Sequence, residues 1–509
     1  MPHHRRSHSE LARFIVPACV AAQAMLLFTN PGLLPVWGDE SFTLAAAASP
    51  LPELLRAYAG DVNPPLHGLL LHLWLKLPWP WGPATAARAL SALIALLGTL
   101  AILRLWAEKE EAGARVWFAA LWCFSPAVLL FARMARAYSL QVLLFTVALG
   151  AALGLLDQPR NPRRILAFGV CEALLLYTHY LPALALLGGL LLRTAWLALR
   201  QRARGPLAGL VIAASLAALL YSPWVVYLWG TLQRLGRATP PQVADNRVVS
   251  EALRLGCTFF SFSYGETPPS WVLAGGALLA PAVLWLVWKG LAVAPPWFWI
   301  VLPAAVAAYL GASRWVGFIF VPARLLFLLP FFLLLLARGV SRSGRAGAAA
   351  GGALLLLCAG SVGSYFRATD FLNKAYLSPY DEIARFIRQE SGGRTAVVVG
   401  DACNLDPGPL LRQARPWARV VYVWSENRLE ELRARALEGD PEIIWHLRNT
   451  RDTCPGGLNG SLGAELAKGR RQRQWLFVEY SERDKLILRA LGMRSAPSHF
   501  LQLDEYSRF

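Results

Sequence analysis

Charged residues are scarce in this chain of 509 amino acids, at 16% against about 25% in an ordinary soluble protein. Apolar residues make up 56%, and the mean hydropathy is +0.41. A chain with so little polar surface cannot cover a set of soluble domains. The composition therefore excludes a cytosolic enzyme and a disordered protein, and it predicts a polytopic α-helical membrane protein.

Several chemical signatures are also missing from the sequence. The seven cysteines form no CxxC pair, the histidines form no HExxH motif, and no phosphate loop or dinucleotide fingerprint occurs. The spacing therefore indicates no zinc or nucleotide site. Cys403 and Cys454 fall in the C-terminal part of the chain, where a disulfide and two free thiols both remain open.

Acidic residues are the rarer charge, with 32 Asp and Glu against 50 Lys and Arg, which gives a formal net charge of +18. Residues 1–365 carry 28 basic and 13 acidic residues, whereas residues 366–509 carry 22 and 19. The excess lies in the hydrophobic part, in short clusters between apolar runs, which is the pattern of the positive-inside rule. A nucleic-acid surface would need one continuous basic face, so nucleic acid is not expected as a partner.

Eleven apolar runs are long enough to cross about 30 Å of hydrocarbon. A twelfth run, 65–77, has only 13 residues and predicts a juxtamembrane helix at the interface. Eleven spans with a cytoplasmic N-terminus place the basic clusters 160–164, 200–204 and 338–345 in the cytoplasm, as the positive-inside rule requires. We therefore expect an inner or plasma membrane protein whose residues 366–509 are periplasmic or extracellular. The eleven runs are 12–30, 84–106, 114–132, 137–156, 165–180, 181–199, 206–229, 270–288, 296–313, 318–337 and 346–365.

The sequence divides into a membrane domain over 1–365 and a soluble domain over 366–509. In the second domain, β-rich runs alternate with helical patterns, which is typical of a small α/β layer. The predicted strands are 395–400, 419–424, 442–446, 474–480 and 498–503, and the predicted helices are 428–438 and 483–491.

The first predicted outer loop, within 31–83, is rich in acids. It contains Asp39, Glu40, Glu53 and Asp61, four of the 13 acids of the membrane domain. An isolated Asp-Glu pair at this depth more often lies in a solvated loop, where Glu40 or Ser41 helps to cap the next helix.

Other polar residues are predicted at the same membrane face as this loop. Charged groups at membrane depth are costly and are usually functional or paired, so we expect a functional site at this face. These residues are Asn63 and His67 in NPPLH, Arg88 in ARALSAL, Arg133 and Arg136 in FARMARAYSLQ, His179 in YTHY, and Arg324 in PAR.

Taken together and in this order, these motifs resemble bacterial glycosyltransferase family 39. Relatives of this family are the protein O-mannosyltransferases and the aminoarabinose transferase that acts on lipid A, and the resemblance implies the GT-C fold. It covers about residues 12–340. Eukaryotic protein mannosyltransferases have His-Pro-Pro-Leu-Gly-Lys where this chain has Asn-Pro-Pro-Leu-His-Gly. The acceptor is therefore left open between a protein, a lipid and a glycan.

The resemblance implies an inverting transfer from a polyprenyl-phosphate sugar, with Asp39 as the general base. Glu40 would orient the acceptor or bind a divalent metal, which is the one cofactor left open. Arg133, Arg136 and Arg324, with His179, would bind the donor phosphate. The remaining candidates for the acceptor and the loop are Asp61, Asn63, His67 and Arg88.

Other roles for these residues stay open on the sequence alone. Arg133 and Arg136 could contact membrane lipid headgroups, Arg324 could pair with Glu266, and Asp61 could be an ordinary turn residue. Two other functions also remain: a transporter or flippase of lipid-linked or small solutes, and a ligase or polymerase of lipid-linked glycans. The polar residues collect at one face instead of the bilayer midplane, which favours the glycosyltransferase over the transporter.

Overall fold

The computed structural model describes residues 2–201, 204–235, 247–294, 298–315, 322–401, 410, 414–423, 429–450, 458–490 and 497–508. The chain divides into two compact units. The membrane unit comprises Met1–Pro31 and Ala46–Tyr365, and the C-terminal unit comprises Gly32–Ala45 and Phe366–Phe509. Asp39 and Glu40, the first two acids of the predicted outer loop, therefore belong to the same unit as residues 366–509.

Helices follow one another along the whole described chain up to residue 366. Short 3-10 helices lie at Ala107–Lys109 and Pro322–Leu328. The α-helices are α1 (Pro2–Phe28), α2 (Gly38–Ala48), α3 (Leu51–Gly60), α4 (Leu66–Trp74), α5 (Pro83–Leu105), α6 (Ala112–Cys123), α7 (Pro126–Ala132), α8 (Tyr138–Asp157), α9 (Pro162–Leu176), α10 (Tyr180–Gln201), α11 (Arg204–Leu235), α12 (Arg247–Tyr264), α13 (Ser270–Leu291), α14 (Phe298–Trp315), α15 (Leu329–Arg342) and α16 (Gly344–Phe366).

Each of the eleven apolar runs is mainly helical in its described residues. Seven helices of the described chain are long and apolar enough to cross a membrane, and α6 with α7 makes an eighth if the bent pair is one span. The prediction of a polytopic helical membrane protein is confirmed. The apolar part of α1, Ala12–Phe28, is shorter than those spans, and the total of eleven spans stays a prediction.

The run predicted as one span over 114–132 is broken into two helices that meet at 49°. Ser125 caps α7, because its hydroxyl accepts a hydrogen bond of 3.3 Å from the backbone N–H of Val128. Pro126 follows in the first turn, where its missing N–H costs nothing. This break fixes the start of α7, and α7 ends immediately before Arg133.

A buried polar network joins α1 to α5 and α6 inside the membrane unit. The Thr99 hydroxyl donates to Gln23 Oε1 at 2.9 Å and accepts from Trp122 Nε1 at 2.8 Å. All three side chains are almost completely buried. Because water is absent from the bilayer core, such hydrogen bonds between helices hold neighbouring spans in register. The first helix is therefore a packed member of the bundle.

The C-terminal unit contains a five-stranded mixed sheet with helices packed against it. The strand order is β2-β1-β3-β5-β4, with β2, β1 and β3 parallel and β5 antiparallel to both β3 and β4. This confirms the predicted α/β class. Cys403 and Cys454 lie outside the described residues. The elements are α17 (Tyr380–Ser391), β1 (Ala396–Asp401), β2 (Arg419–Val423), α18 (Leu429–Leu437), β3 (Ile443–Asn449), α19 (Leu458–Leu466), β4 (Arg471–Glu479), α20 (Glu482–Ala490) and β5 (His499–Ser507).

A buried polar group interrupts the apolar packing of this sheet. Asp504 on β5 accepts hydrogen bonds from Arg448 Nε at 2.9 Å and Gln502 Nε2 at 2.8 Å. His446 lies opposite Asp504 in the strand register and is completely buried. Neither of its ring nitrogens has a hydrogen-bond partner among the described residues. Burial lowers the pKa of His446 to about 4, while Asp504 opposes and Arg448 reinforces the shift.

We expect the C-terminal unit to lose stability as the pH falls from about 6.5, the ordinary pKa of histidine, towards 4. The folded state holds His446 neutral, so over this range the unfolded chain binds the proton first and is favoured. Hydrogen exchange of the β3 amides in the full-length protein, corrected for intrinsic rates, measures the effect. The variant His446→Leu should lose most of this pH dependence. An unchanged dependence in that variant would mean that another group is responsible.

Candidate functional site

Four polar residues from separate segments of the membrane unit form an electrostatic cluster, here called the His–Arg cluster: His67, Arg136, His179 and Arg324. His67 lies in the first turn of α4, and Arg136 lies between α7 and α8. His179 lies between α9 and α10, and Arg324 lies in the 3-10 helix before α15. The charge of Arg136 lowers the pKa of both histidines, and Arg324 adds to the effect on His179. The structure thus brings together four of the residues that the sequence singled out.

Backbone and side-chain contacts hold the segments of this cluster together. The N–H of Leu66, at the start of α4, donates to the carbonyl of Tyr177 in the YTHY turn at 2.9 Å. Gly68 on α4 lies so close to the Tyr58 ring that no larger residue would fit there. The segment that carries His67 is therefore packed against both α3 and the turn that carries His179.

Both histidines of the cluster are held neutral. His67 is only 2% exposed, and its burial followed by the charge of Arg136 lowers its pKa to about 3. Its Nε2 has no hydrogen-bond partner among the described residues. His179 lies outside the flanking helices, and removal from water together with Arg324 and Arg136 lowers its pKa to about 3. Its Nδ1 accepts the N–H of Leu181 at 3.2 Å, so Nε2 carries the proton of the neutral ring.

Two guanidinium groups and two neutral imidazoles suit an anion. Arginine can hold a phosphate with two parallel hydrogen bonds, and a neutral imidazole N–H adds a donor without a further charge. The buried and unpartnered nitrogen of His67 points to a ligand, because buried polar atoms are rarely left without a partner. The cluster therefore has the chemistry of a phosphate site at the ends of membrane helices.

Arg133 and Arg88 bind the backbone that follows α1. Arg133 Nη1 donates to the carbonyl of Leu26 at 2.7 Å, and Nη2 donates to that of Asn30. Its guanidinium lies 5.1 Å from the centre of the Tyr365 ring. Arg88 Nη1 donates to the carbonyl of Pro31 at 3.1 Å. These cations satisfy carbonyls at and just beyond the negative end of a helix. That Arg133 also contacts a donor phosphate stays a prediction.

Asp61 and Asn63 form the turn between α3 and α4. The amide of Asn63 donates to the carboxylate of Asp61. Val62 between them has a φ of +56°, a conformation that costs energy for a β-branched residue. Asp61 itself is exposed. The pair shapes the turn that leads into His67, and a role in acceptor binding is still a prediction for both residues.

Asp39 and Glu40 lie in the first turn of α2, within the C-terminal unit. Glu40 is 1% exposed, and Asp39 is partly exposed. Since α2 begins at Gly38, both acids lie within its first turn, and neither precedes the helix as a cap. No group of three or more His, Cys, Asp or Glu side chains in the described ranges is placed to hold a metal ion.

The other end of α2 is bound within the membrane unit. Nδ1 of His72, on α4, makes a hydrogen bond of 2.8 Å with the carbonyl of Ala47. A cavity of about 400 Å³ lies beside this contact, and Lys76, Trp79 and Trp81 are among its lining residues. Tryptophans of this kind are enriched at membrane interfaces, which agrees with the predicted position of this region at headgroup level.

Gln141, the last residue of the FARMARAYSLQ motif, is not among the site residues that the sequence predicts. This side chain is completely buried on α8, and its Nε2 donates to the carbonyl of Ala323 at 2.7 Å. One turn later, Phe145 packs against Phe327 with ring centres 4.7 Å apart. Residues 323–331 are all buried except Arg324. A single amide side chain within an apolar span indicates a functional or structural role. The sequence does not show which group that amide bonds to.

Replacing Arg133 by glutamine should destabilise the membrane unit. Two carbonyls at the end of α1 would lose a charged donor, at about 1–3 kcal/mol each, so the apparent loss should be about 2–6 kcal/mol. Thermal unfolding of the detergent-solubilised protein, followed by tryptophan fluorescence, measures it. The matched variant Arg104→Gln, which changes an exposed arginine of α5, should unfold close to the wild-type temperature. Equal destabilisation by both variants would mean that the contacts of Arg133 with the end of α1 are not responsible for the loss.

Comparison with known proteins identifies which known fold the chain shares. No protein-family model and no curated protein matches the sequence. ArnT from Cupriavidus metallidurans in the apo state superposes with a TM-score of 0.54 at 12% identity, over 98% of each chain. The same protein bound to undecaprenyl phosphate gives 0.50 at 12% identity, again over 98% of each chain.

An archaeal structure has the same fold. The oligosaccharyltransferase AglB of Archaeoglobus fulgidus, in complex with an inhibitory peptide and a dolichol-phosphate, superposes with a TM-score of 0.50 at 11% identity. The match covers 97% of this chain and 88% of AglB. ArnT and AglB are both GT-C membrane glycosyltransferases. At such low identity the likeness establishes architecture and not activity. The chain has the GT-C fold that the motif resemblance to glycosyltransferase family 39 implied.

Proposed function

We propose that this chain is a membrane glycosyltransferase that moves a sugar from a polyprenyl-phosphate donor to an acceptor. The observation that carries the proposal is the His–Arg cluster, an anion-binding arrangement at the ends of membrane helices. It lies in a fold shared with ArnT bound to undecaprenyl phosphate and with AglB in complex with a dolichol-phosphate. The acceptor is a lipid, a glycan or a protein.

The cluster would bind the donor phosphate and stabilise it as it leaves. Arg136 and Arg324 supply the positive charge, and Nε2–H of His179 supplies a neutral hydrogen-bond donor. The unpartnered Nε2 of His67 would supply a second donor or a contact to the sugar. As the bond to the sugar breaks, negative charge grows on the phosphate oxygens. Fixed donors in a water-poor environment stabilise this charge more strongly than water does.

The transfer itself would be a single displacement. The acceptor hydroxyl oxygen attacks the anomeric carbon on the face opposite the phosphate, and the bond from that carbon to the phosphate oxygen breaks. The electron pair leaves with the polyprenyl phosphate, and the configuration is inverted. The hydroxyl proton passes to the carboxylate of Asp39, which acts as the general base. Glu40 would orient the acceptor.

The proposed side of the membrane is the outer face of an inner or plasma membrane. The basic clusters of the sequence support a cytoplasmic N-terminus. Trp79 and Trp81, with ring centres 5.7 Å apart, support a position of the first outer loop at headgroup level. In this orientation the C-terminal unit is periplasmic or extracellular.

We expect Asp39→Asn to lower the rate of sugar transfer by at least about 100-fold, the typical contribution of a general base. The assay uses membranes and a panel of radiolabelled polyprenyl-phosphate sugars. Glu53→Gln, which changes an exposed acid of the same loop, is the matched control and should keep full activity. Wild-type turnover by folded Asp39→Asn would remove the proposed base. Solute flux without transfer from any lipid donor would favour a transporter.

We expect Gln141→Leu to weaken binding of undecaprenyl phosphate about fivefold to tenfold, because one buried hydrogen bond that fixes the Arg324 segment is lost. Binding to the purified protein is measured by native mass spectrometry. Thr146→Val is the control, since this buried hydroxyl on the same helix has no hydrogen-bond partner among the described residues. In an Arg324→Gln background the effect of Gln141→Leu should vanish. An additive effect would mean that Gln141 does not act through Arg324.

A further inference from the structure

The proposed base lies next to an aromatic contact inside the C-terminal unit. Trp37, two residues before Asp39, packs edge-to-face on Tyr376 with ring centres 4.9 Å apart and planes at 80°. Both residues belong to the C-terminal unit. Tyr376 is only 1% exposed. Aromatic pairs of this geometry have a preferred mutual orientation, so the contact fixes more than the separation of the two rings.

Tyr376 is itself firmly anchored. It lies in a short 3-10 helix, Lys374–Leu377, whose start is capped by the Asn373 side chain accepting the N–H of Ala375 at 3.1 Å. Lys374 Nζ forms an ion pair of 2.7 Å with Asp484 on α20, and each side chain is 6% exposed. A buried pair of this kind holds one geometry, because breaking it leaves an unpaired charge.

Further hydrogen bonds fix Asp484. Its carboxylate also accepts from Arg483 Nη2 at 2.7 Å and from the Ser481 hydroxyl at 2.7 Å. The ion pair of Asp484 with Lys374 and the packing of Tyr376 on Trp37 are joined by the 3-10 helix that carries both Lys374 and Tyr376. Each step lies within one compact unit.

We infer that the C-terminal unit orients the Asp39–Glu40 turn through the contact of Trp37 with Tyr376, which makes these two aromatic residues positioning residues for the transfer. This inference rests on the proposed function. Asp39 follows Trp37 by two residues, a distance of at most about 7 Å along the chain. Gly38, the residue between them, gives the backbone no side-chain restraint of its own.

The physical reason for such an anchor is the position of the acids at the very start of a helix. The first turn of a helix has unsatisfied N–H groups and frays most readily. α2 has only 11 residues, and its described C-terminal anchor is at Ala47. A general base displaced by about 1 Å can lose about 100-fold in rate. A fixed residue immediately before the first turn holds the direction in which α2 starts.

The experiment compares Trp37→Leu and Tyr376→Leu with the conservative variants Trp37→Phe and Tyr376→Phe. The leucine variants should lower kcat about tenfold or more while binding of undecaprenyl phosphate changes less than twofold, because only the base is displaced. The phenylalanine variants should keep most of kcat. The double leucine variant should be no slower than the slower single variant, since the two residues act as one contact.

Trp475→Leu is the matched control. This residue packs on Phe386 with ring centres 5.1 Å apart, in the core of the same unit and remote in sequence from the acidic segment. It should leave kcat unchanged in protein that remains folded. If Trp475→Leu lowered kcat as much as Tyr376→Leu, the loss of activity would reflect a general loss of stability of the unit, and the inference would be wrong.

A second measurement separates this inference from the proposed function. Hydrogen exchange of the α2 amides, Gly38–Ala48, needs no substrate. Tyr376→Leu should raise exchange at Ser41, whose N–H donates to the carbonyl of Trp37 at 2.9 Å, and Trp475→Leu should not. If the exchange is unchanged, the inference fails whatever the enzyme does. If exchange rises as expected but the wild-type chain transfers sugar from no lipid donor, the anchor stands and the glycosyltransferase proposal fails.

Discussion

The end of α1 imposes the constraint on which the rest of the membrane unit depends. The carbonyls of Leu26, Asn30 and Pro31 lie at and just beyond the negative end of this helix, where no further helical turn supplies them with donors. Arg133 and Arg88 satisfy all three. Because Arg133 belongs to the turn between α7 and α8, this requirement also fixes the turn that carries Arg136. The phosphate chemistry proposed for the cluster therefore depends on a purely structural need at the first helix.

Arg133 and Arg136 show what sequence can and cannot resolve. Both lie in one motif, three residues apart, at the same predicted face, and nothing in their spacing distinguishes them. In the structure, Arg133 is buried against backbone carbonyls and the Tyr365 ring, whereas Arg136 acts on two histidines. The run that leads to both arginines is broken between α6 and α7, at Ser125 and Pro126. Apolar runs predict that a span exists, but they do not predict such a break within it.

Local patterns predicted the elements well, because hydrophobic period and length are local properties. The five strands of the C-terminal unit and its helices α18 and α20 lie within a few residues of their predicted positions, whereas α17 and α19 were not predicted. His67, Arg136, His179 and Arg324, from separate motifs, interact electrostatically. The long-range pairings could not be predicted. Gln141 bonds to a carbonyl 182 residues away, and Trp37 packs on an aromatic residue of the C-terminal domain. Each such partner is one of many similar side chains, and only the folded chain selects it.

The proposed chemistry needs donors that are removed from water to bind the phosphate, and a base that stays in contact with water. The proposed donors belong to the membrane unit, and the proposed base belongs to the C-terminal unit. A lipid phosphate is held best by fixed cations and neutral donors removed from water, and the membrane unit supplies these with His67 fully buried and neutral. A general base must instead stay ionised and return its proton to water after each turnover. Asp39 is partly exposed in the first turn of α2. A carboxyl group buried among apolar helices would hold its proton and could not serve as a base. Because the segment 32–45 belongs to the C-terminal unit, the proposed base is not one of the buried groups of the membrane unit, and its partial exposure gives it access to water.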